Sequence, residues 1–140
     1  MFLDLSAAFD LVSHEMLIKK LSIYRLDKGY LTWLESYLSD RYQSVWIDHV
    51  YSDFLPCQVG VPQGSILGPL LFMIYFNDLF YHIPCSSENY ADDTTITTTG
   101  VSIREFSEKL SRVAGMIVGW MKSNMLKLNP TKTHIMTVGT

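Results

Sequence analysis

The longest run of helical periodicity lies late in the chain. Ile103, Phe106, Leu110, Val113, Ile117 and Trp120 alternate three and four residues apart, which predicts an amphipathic helix with one face on a core. Ser102-Ile103-Arg104-Glu105 has the form of a capping box at its start. Near the N-terminus, Phe2-Leu3-Asp4-Leu5 reads as a short buried strand. Phe9, Val12, Met16, Leu17 and Leu21 then follow at helical spacing. Asp27 is placed to cap a second helix carrying Leu31, Leu34, Tyr37 and Leu38, which Ser39-Asp40-Arg41 ends. Residues 43–47 alternate and predict a strand, 48–53 a turn, and 54–59 the return strand. A Gly-Pro loop at 60–64 leads into a very apolar helix over 65–80, with Pro69 in its first turn, where proline is tolerated. Residues 85–91 and 94–99 predict a hairpin with Asp92 and Asp93 at its tip. Residues 125–128 and 134–138 are short strand candidates around the turn at Asn129-Pro130-Thr131.

With the segment from about residue 11 to 59 set aside, the order is strand, helix, strand, strand, helix, strand. That is the ferredoxin-like split βαβ order, an antiparallel sheet packed on helices. The expected class is α+β, with an inserted helical segment and β-hairpin. In this order the first strand and the hairpin can be neighbours, and Asp4 would lie beside Asp92.

Composition narrows the possibilities. The chain has 140 residues, the size of one domain, and its 48% hydrophobic content is ample for a core. No repeat or low-complexity tract interrupts it. The net charge of −3 is a poor electrostatic footprint for a free-standing nucleic-acid binder. Cys57 and Cys85 have no CxxC neighbour, which fits a reducing intracellular compartment and excludes a disulfide framework. His14, His49, His82 and His134 lack ligand spacing. The stretch 66–76 is too short to span a bilayer and holds Gly68-Pro69, and Met1-Phe2-Leu3-Asp4 lacks a basic leader region, so neither a membrane span nor a secretory signal is expected.

The adjacent acids Asp92 and Asp93 carry the chemistry. Neighbouring carboxylates repel unless a cation sits between them, so the pair is either a solvated turn or a divalent-metal site. Asp4 ends an apolar strand, where an unpaired carboxylate is costly to bury. Three converging carboxylates could hold two Mg²⁺ ions about 3.5–4 Å apart, the arrangement that drives in-line displacement at phosphorus. The loop Gly60-Val61-Pro62-Gln63-Gly64-Ser65 precedes a helix N-terminus, where amides can accept an anion or a polar ligand edge. Gly64 allows close approach and Gln63 offers both a donor and an acceptor. Taken alone, the same loop is an ordinary turn and cap.

Taken together, these residues resemble the reverse transcriptases. Residues 2–10 (FLDLSAAFD) are similar to motif A, 60–72 (GVPQGSILGPLLF) to motif B, and Tyr90-Ala91-Asp92-Asp93 to the YxDD box, motif C. Residues 120–124 (WMKSN) with 126–133 (LKLNPTKT) resemble motif D. The wording is closest to non-LTR retrotransposons of the LINE or jockey kind, and the order holds from residue 2 to about 138. The resemblance implies a polymerase palm. Residues 1–140 would be a single partial domain with motifs A to D, the N-terminal part of the fingers and the thumb being absent.

The implied activity is RNA-directed DNA polymerisation, with Mg²⁺ as cofactor (two ions, Mn²⁺ as a substitute). RNA template, DNA primer, dNTP and the rest of a retroelement polyprotein would be the partners. No membrane is implied, and the place of action would be intracellular, in the nucleus. By resemblance Asp4, Asp92 and Asp93 would be the catalytic, metal-binding carboxylates. Phe9 would be the aromatic steric gate against a ribose 2′-OH, or a core residue at helical spacing. Gln63 and Gly64 would line the incoming nucleotide and template base. Lys132 would stand near the triphosphate as proton donor, or be an exposed turn lysine. Tyr90 would support the catalytic hairpin. Asp10 would cap or solvate the next helix, and Arg41 and Lys19-Lys20 would face solvent or touch phosphates. Without a triphosphate clamp or primer grip, the isolated chain would be weakly active or inactive. Two other readings account for part of the pattern: a domesticated remnant serving as a nucleic-acid or protein binding module, and another two-metal phosphodiesterase, which explains the acids but not residues 60–72.

Overall fold

A computed structural model describes residues 1–90 and 92–139. It is a mixture of helices and antiparallel strands, as the patterning predicts. The central sheet has the order β1 (Phe2–Leu3), β7 (Asp93–Thr97), β6 (Ser86–Tyr90), and both pairings are antiparallel. On the free edge of β1, single bridges join Phe2 to His134 and Leu5 to Leu128. The first strand therefore does neighbour the hairpin. The two expected C-terminal strands are reduced to isolated bridges at His134 and Leu128.

Helix α1 (His14–Ile23) begins later than the periodicity suggests. Residues 8–11 form a separate 3-10 turn, and Ser13 caps α1 by accepting from the Met16 amide at 3.4 Å. Asp27 caps α2 (Lys28–Leu38) as expected, accepting from Gly29 at 2.8 Å. Between α2 and α3, β2 (Tyr42–Gln43) pairs with β5 (Leu55–Pro56), and β3 (Trp46–Ile47) with β4 (Val50–Tyr51). The return strand starts at Val50, earlier than predicted. Asp48 and His49 both adopt positive φ (47° and 66°), so a tight turn of the primed type replaces the longer one expected.

The expected helix over 65–80 is two pieces, α3 (Leu67–Phe76) and α4 (Leu79–His82). Ser65 starts α3: its Oγ accepts from the Gly68 amide at 2.9 Å and donates to the Pro62 carbonyl at 2.7 Å. Helix α5 (Ile103–Ser123) has the predicted cap, with Ser102 Oγ accepting from the Glu105 amide. Glu105 reaches back to the Val101 amide, one residue beyond the usual capping-box partner, the Ser102 amide. Its buried residues are Val113, Ile117, Trp120 and Met121, whereas Ile103 is exposed, so the apolar stripe meets the core only in the C-terminal half.

The core lies between the sheet and α3, α5 and α1. Phe72, Tyr75 and Phe76 are fully buried, and Phe76 meets Trp120 edge-on at 5.5 Å. Lys20 does not face solvent. Its ammonium bonds Asp78 and the Tyr75 carbonyl, each at 2.6 Å, and lies over the Tyr75 and Trp120 rings. Burial pushes this ammonium below its ordinary pKa against the pull of Asp78. Tyr75 Oη donates to the Asn124 carbonyl at 2.7 Å, joining α3 to the end of α5. Tyr75→Phe should cost about 1 kcal/mol in urea denaturation, the typical net worth of such a bond. A neutral substitution would remove this link from the account. No helix among the described residues is long and apolar enough to cross a membrane.

Candidate functional site

The register between β1 and β7 decides where the acids go. Phe2 pairs with Thr95 and Leu3 with Thr94. Carried one residue further, the register sets Asp4 across from Asp93. Asp93 is the first residue of β7, paired with Tyr90, and Asp92 sits in the turn before it. The sequence had paired Asp4 with Asp92 and put both acids at the tip, so the structure shifts these placements by one residue. Ala91 lies outside the described residues. The ladder stops at Leu3, where the next rung would set two carboxylates face to face, and like charges directly opposite are unfavourable. Asp4 is half-buried, while Asp92 and Asp93 are exposed.

The main chain around Asp4 is held on its other side by the turn that carries Lys132. The Asp4 carbonyl accepts from the Asn129 amide at 2.8 Å, and the Asp4 amide faces Thr133 Oγ1 at 3.4 Å. Asn129 Oδ1 accepts from the Thr131 amide and hydroxyl, an Asx turn. Lys132 projects from this turn as an exposed side chain. Tyr90 ends β6 and is 85% exposed. The next residue back, Asn89, donates to Thr94 Oγ1 at 2.8 Å and so links the two hairpin strands.

The loop at 60–64 is fastened to the segment after Asp4. Val61 N–H donates to the Phe9 carbonyl at 2.9 Å and Gly60 N–H to the Val12 carbonyl at 2.8 Å. Gln63 Nε2 donates to Asp10 Oδ1 at 2.8 Å. A carboxylate only accepts, so this contact fixes the orientation of the carboxamide, with Nε2 toward Asp10. Asp10 therefore binds the loop rather than capping α1, a role Ser13 takes. Phe9 is half-buried and stacks on Phe72 at 4.6 Å. Gly64 is exposed with φ +78°, and nothing lies within 4 Å of where its Cβ would be.

The carbonyl of Gly60 accepts from His14 Nε2 at 2.8 Å and from Arg41 Nη2 at 2.7 Å. These two contacts were not legible in the sequence. The partners stand 46 and 19 residues from Gly60, with no spacing rule to join them. Lys19, the neighbour of Lys20, makes a surface pair with Glu15.

The structure thus joins Asp4, the hairpin acids and the Lys132 turn through one edge of the sheet. It joins Phe9, Gln63 and Gly64 through the Asp10 loop. It does not draw the carboxylates into one cluster: among the described residues no three His, Cys, Asp or Glu side chains are grouped to hold a metal ion.

The sequence model of a family described as "Reverse transcriptase (RNA-dependent DNA polymerase)" matches residues 1–139. Over 94% of its length the chain is 35% identical to the probable RNA-directed DNA polymerase from transposon BS of Drosophila melanogaster. It is 32% identical, over the same share, to the RNA-directed DNA polymerase from mobile element jockey of the same species. A further relative is the Pol polyprotein of the type-1 retrotransposable element R2 from Popillia japonica, 30% identical over 55% of the chain and 13% of the relative. The chain spans 15% of the length of the BS and jockey proteins. It belongs to the reverse transcriptase family.

Proposed function

We propose that this domain is the catalytic palm of a non-LTR retroelement polymerase, acting inside the cell and in the nucleus. It would add dNTPs to a primer 3′-OH under the direction of an RNA template. The observation that carries the reading is the β1–β7 register, which runs the acid of FLDL toward the acids of YADD and breaks off where they would meet. Strand order β1-β7-β6, extended by the bridges to His134 and Leu128, supports a ferredoxin-like palm.

The donor set suits Mg²⁺: hard carboxylate oxygens, exposed or half-buried, with no ion pair among the described residues. Asp4, Asp92 and Asp93 would hold it. Divalent ions held there would supply charge neutralisation for the displacement at phosphorus. In the reaction, the primer 3′-OH would lose its proton to water as its oxygen forms a bond to the α-phosphorus, the bond from that phosphorus to the bridging oxygen breaks, and pyrophosphate leaves. Lys132 would give it a proton. The ring of Phe9 is held by its stack on Phe72, so core packing and a steric gate are compatible roles: a gate must be rigid. Gln63, tethered by Asp10, and the open space over Gly64 would receive the nucleotide and template base.

With a net charge of −3, the chain supplies little attraction for a template, so the isolated chain should extend primers weakly or not at all. A thermal melt tests the site directly. If Mg²⁺ binds with a Kd of about 1 mM, then 10 mM stabilises by about 1.4 kcal/mol, a shift of several degrees. Asp4→Asn should blunt it. A melt indifferent to Mg²⁺ and Mn²⁺ would contradict a metal site.

A second reading, a domesticated binding module, draws support from the exposed apolar residues of the β2–β5 segment, Trp46, Val50, Tyr51 and Leu55 among them. It predicts primer-template affinity that survives removal of all three aspartates.

A further inference from the structure

Arg41 stands where the segment containing α1 and α2 meets the loop at 60–64. Its guanidinium is half-buried and makes no ion pair among the described residues. A cation withdrawn from water needs compensation, and here backbone carbonyls supply it. Nε donates to the carbonyl of Leu38 at 3.2 Å, and Nη2 to the carbonyl of Gly60 at 2.7 Å. Leu38 is the last residue of α2, so its carbonyl is one that the helix leaves unpaired at its negative end. The Arg41 carbonyl in turn accepts from the Cys57 amide at 2.8 Å.

Gly60, the other end of this strut, is the root of the loop. It is buried, has φ +84°, and lies against the backbone of Asp10. His14 Nε2 donates to the same carbonyl. Two donors on one oxygen fix the ring as its Nε2–H form and exclude a mutual bond with Arg41 Nη2, although the two nitrogens are 3.5 Å apart. Three and four residues beyond this root stand Gln63 and Gly64, both exposed.

We infer that Arg41 is a positioning residue: it fastens the root of the 60–64 loop to α2 and so presents Gln63 and Gly64 to the incoming nucleotide. The inference rests on the polymerase reading. Arginine suits the task because its planar fork holds Nε and Nη2 in a fixed geometry, whereas lysine donates from one nitrogen at the end of a flexible stem.

The test compares wild type, Arg41→Ala and Arg41→Lys by amide hydrogen exchange and by dTTP titration in Mg²⁺. The Gly60 and Val61 amides are bonded to Val12 and Phe9, so their exchange reports release of the loop. They should exchange about tenfold faster in Arg41→Ala, with amides around Ile117 in α5 changed less than about twofold. Affinity for dTTP should fall about tenfold in parallel. Arg41→Lys should fall between in both measurements, and it keeps the test open if Arg41→Ala does not fold. Equal acceleration in α5 and the loop would make Arg41 a general stability residue and overturn the inference. Loop loosening with dTTP affinity at the wild-type value would overturn it too. A wild type that binds no dTTP overturns the positioning role. A local exchange pattern in that case shows that nucleotide binding by this segment, rather than the Arg41 contact, is what failed.

Discussion

Gly60→Ala should destabilise the domain by about 2–4 kcal/mol, a large share of the roughly 5–15 kcal/mol a domain has. Two effects add. At φ +84° a side chain is strained, typically by about 1 kcal/mol. The new Cβ would also stand 2.9 Å from the Cα and from the carbonyl oxygen of Asp10. These are backbone atoms pinned by the Val61–Phe9 and Gly60–Val12 hydrogen bonds, so no flexible side chain can swing away. Gly64→Ala is the internal control. Its φ of +78° carries the same strain, but nothing lies within 4 Å, so it should cost only about 1 kcal/mol. Urea denaturation of both variants separates steric packing from backbone strain. Equal losses would mean that the loop does not press against the Asp10 segment.

The second large effect separates stability from function. Asp92→Asn with Asp93→Asn removes two exposed neighbouring charges. Stability without added metal should hold or rise slightly, by a few tenths of a kcal/mol, because like-charge repulsion is relieved. The Mg²⁺-induced rise should vanish. In a polymerase carrying this domain, RNA-templated primer extension should fall at least about 10³-fold, since several kcal/mol of charge stabilisation is lost at the transition state. A double variant that unfolds would show the acids to be structural. One that keeps both the metal response and activity would remove them from the site.

The sequence made some of this legible and not the rest, for physical reasons. The caps at Asp27 and Ser102 are local, and they stand as expected, while the hairpin forms with Asp93 inside its second strand rather than at the tip. Neighbourhood between β1 and the hairpin followed from strand order alone. Asp4 opposite Asp93 rather than Asp92 did not, because a one-residue choice depends on where the hairpin turns. The helix over 65–80 breaks near Asn77-Asp78, where Asp78 binds the ammonium of Lys20, a partner 58 residues earlier in the chain. Burial of Lys20 under two aromatic rings, the Asp10–Gln63 bond and the Arg41 strut are tertiary contacts, and no periodicity announces them. The comparisons establish the family. The roles of Phe9, Gln63, Gly64, Lys132 and Tyr90 remain proposals on the geometry described.

The most direct measurement is a Mn²⁺ titration followed by nuclear magnetic resonance, in which the paramagnetic ion broadens amides close to it. A metal held by Asp4, Asp92 and Asp93 predicts selective loss of the Asp4, Asp92 and Asp93 amide signals at submillimolar Mn²⁺, reversed by excess Mg²⁺ and absent in the double asparagine variant. Broadening that is uniform, or that centres on other acids such as Asp48 and Asp53, would contradict a catalytic metal centre at the end of β1.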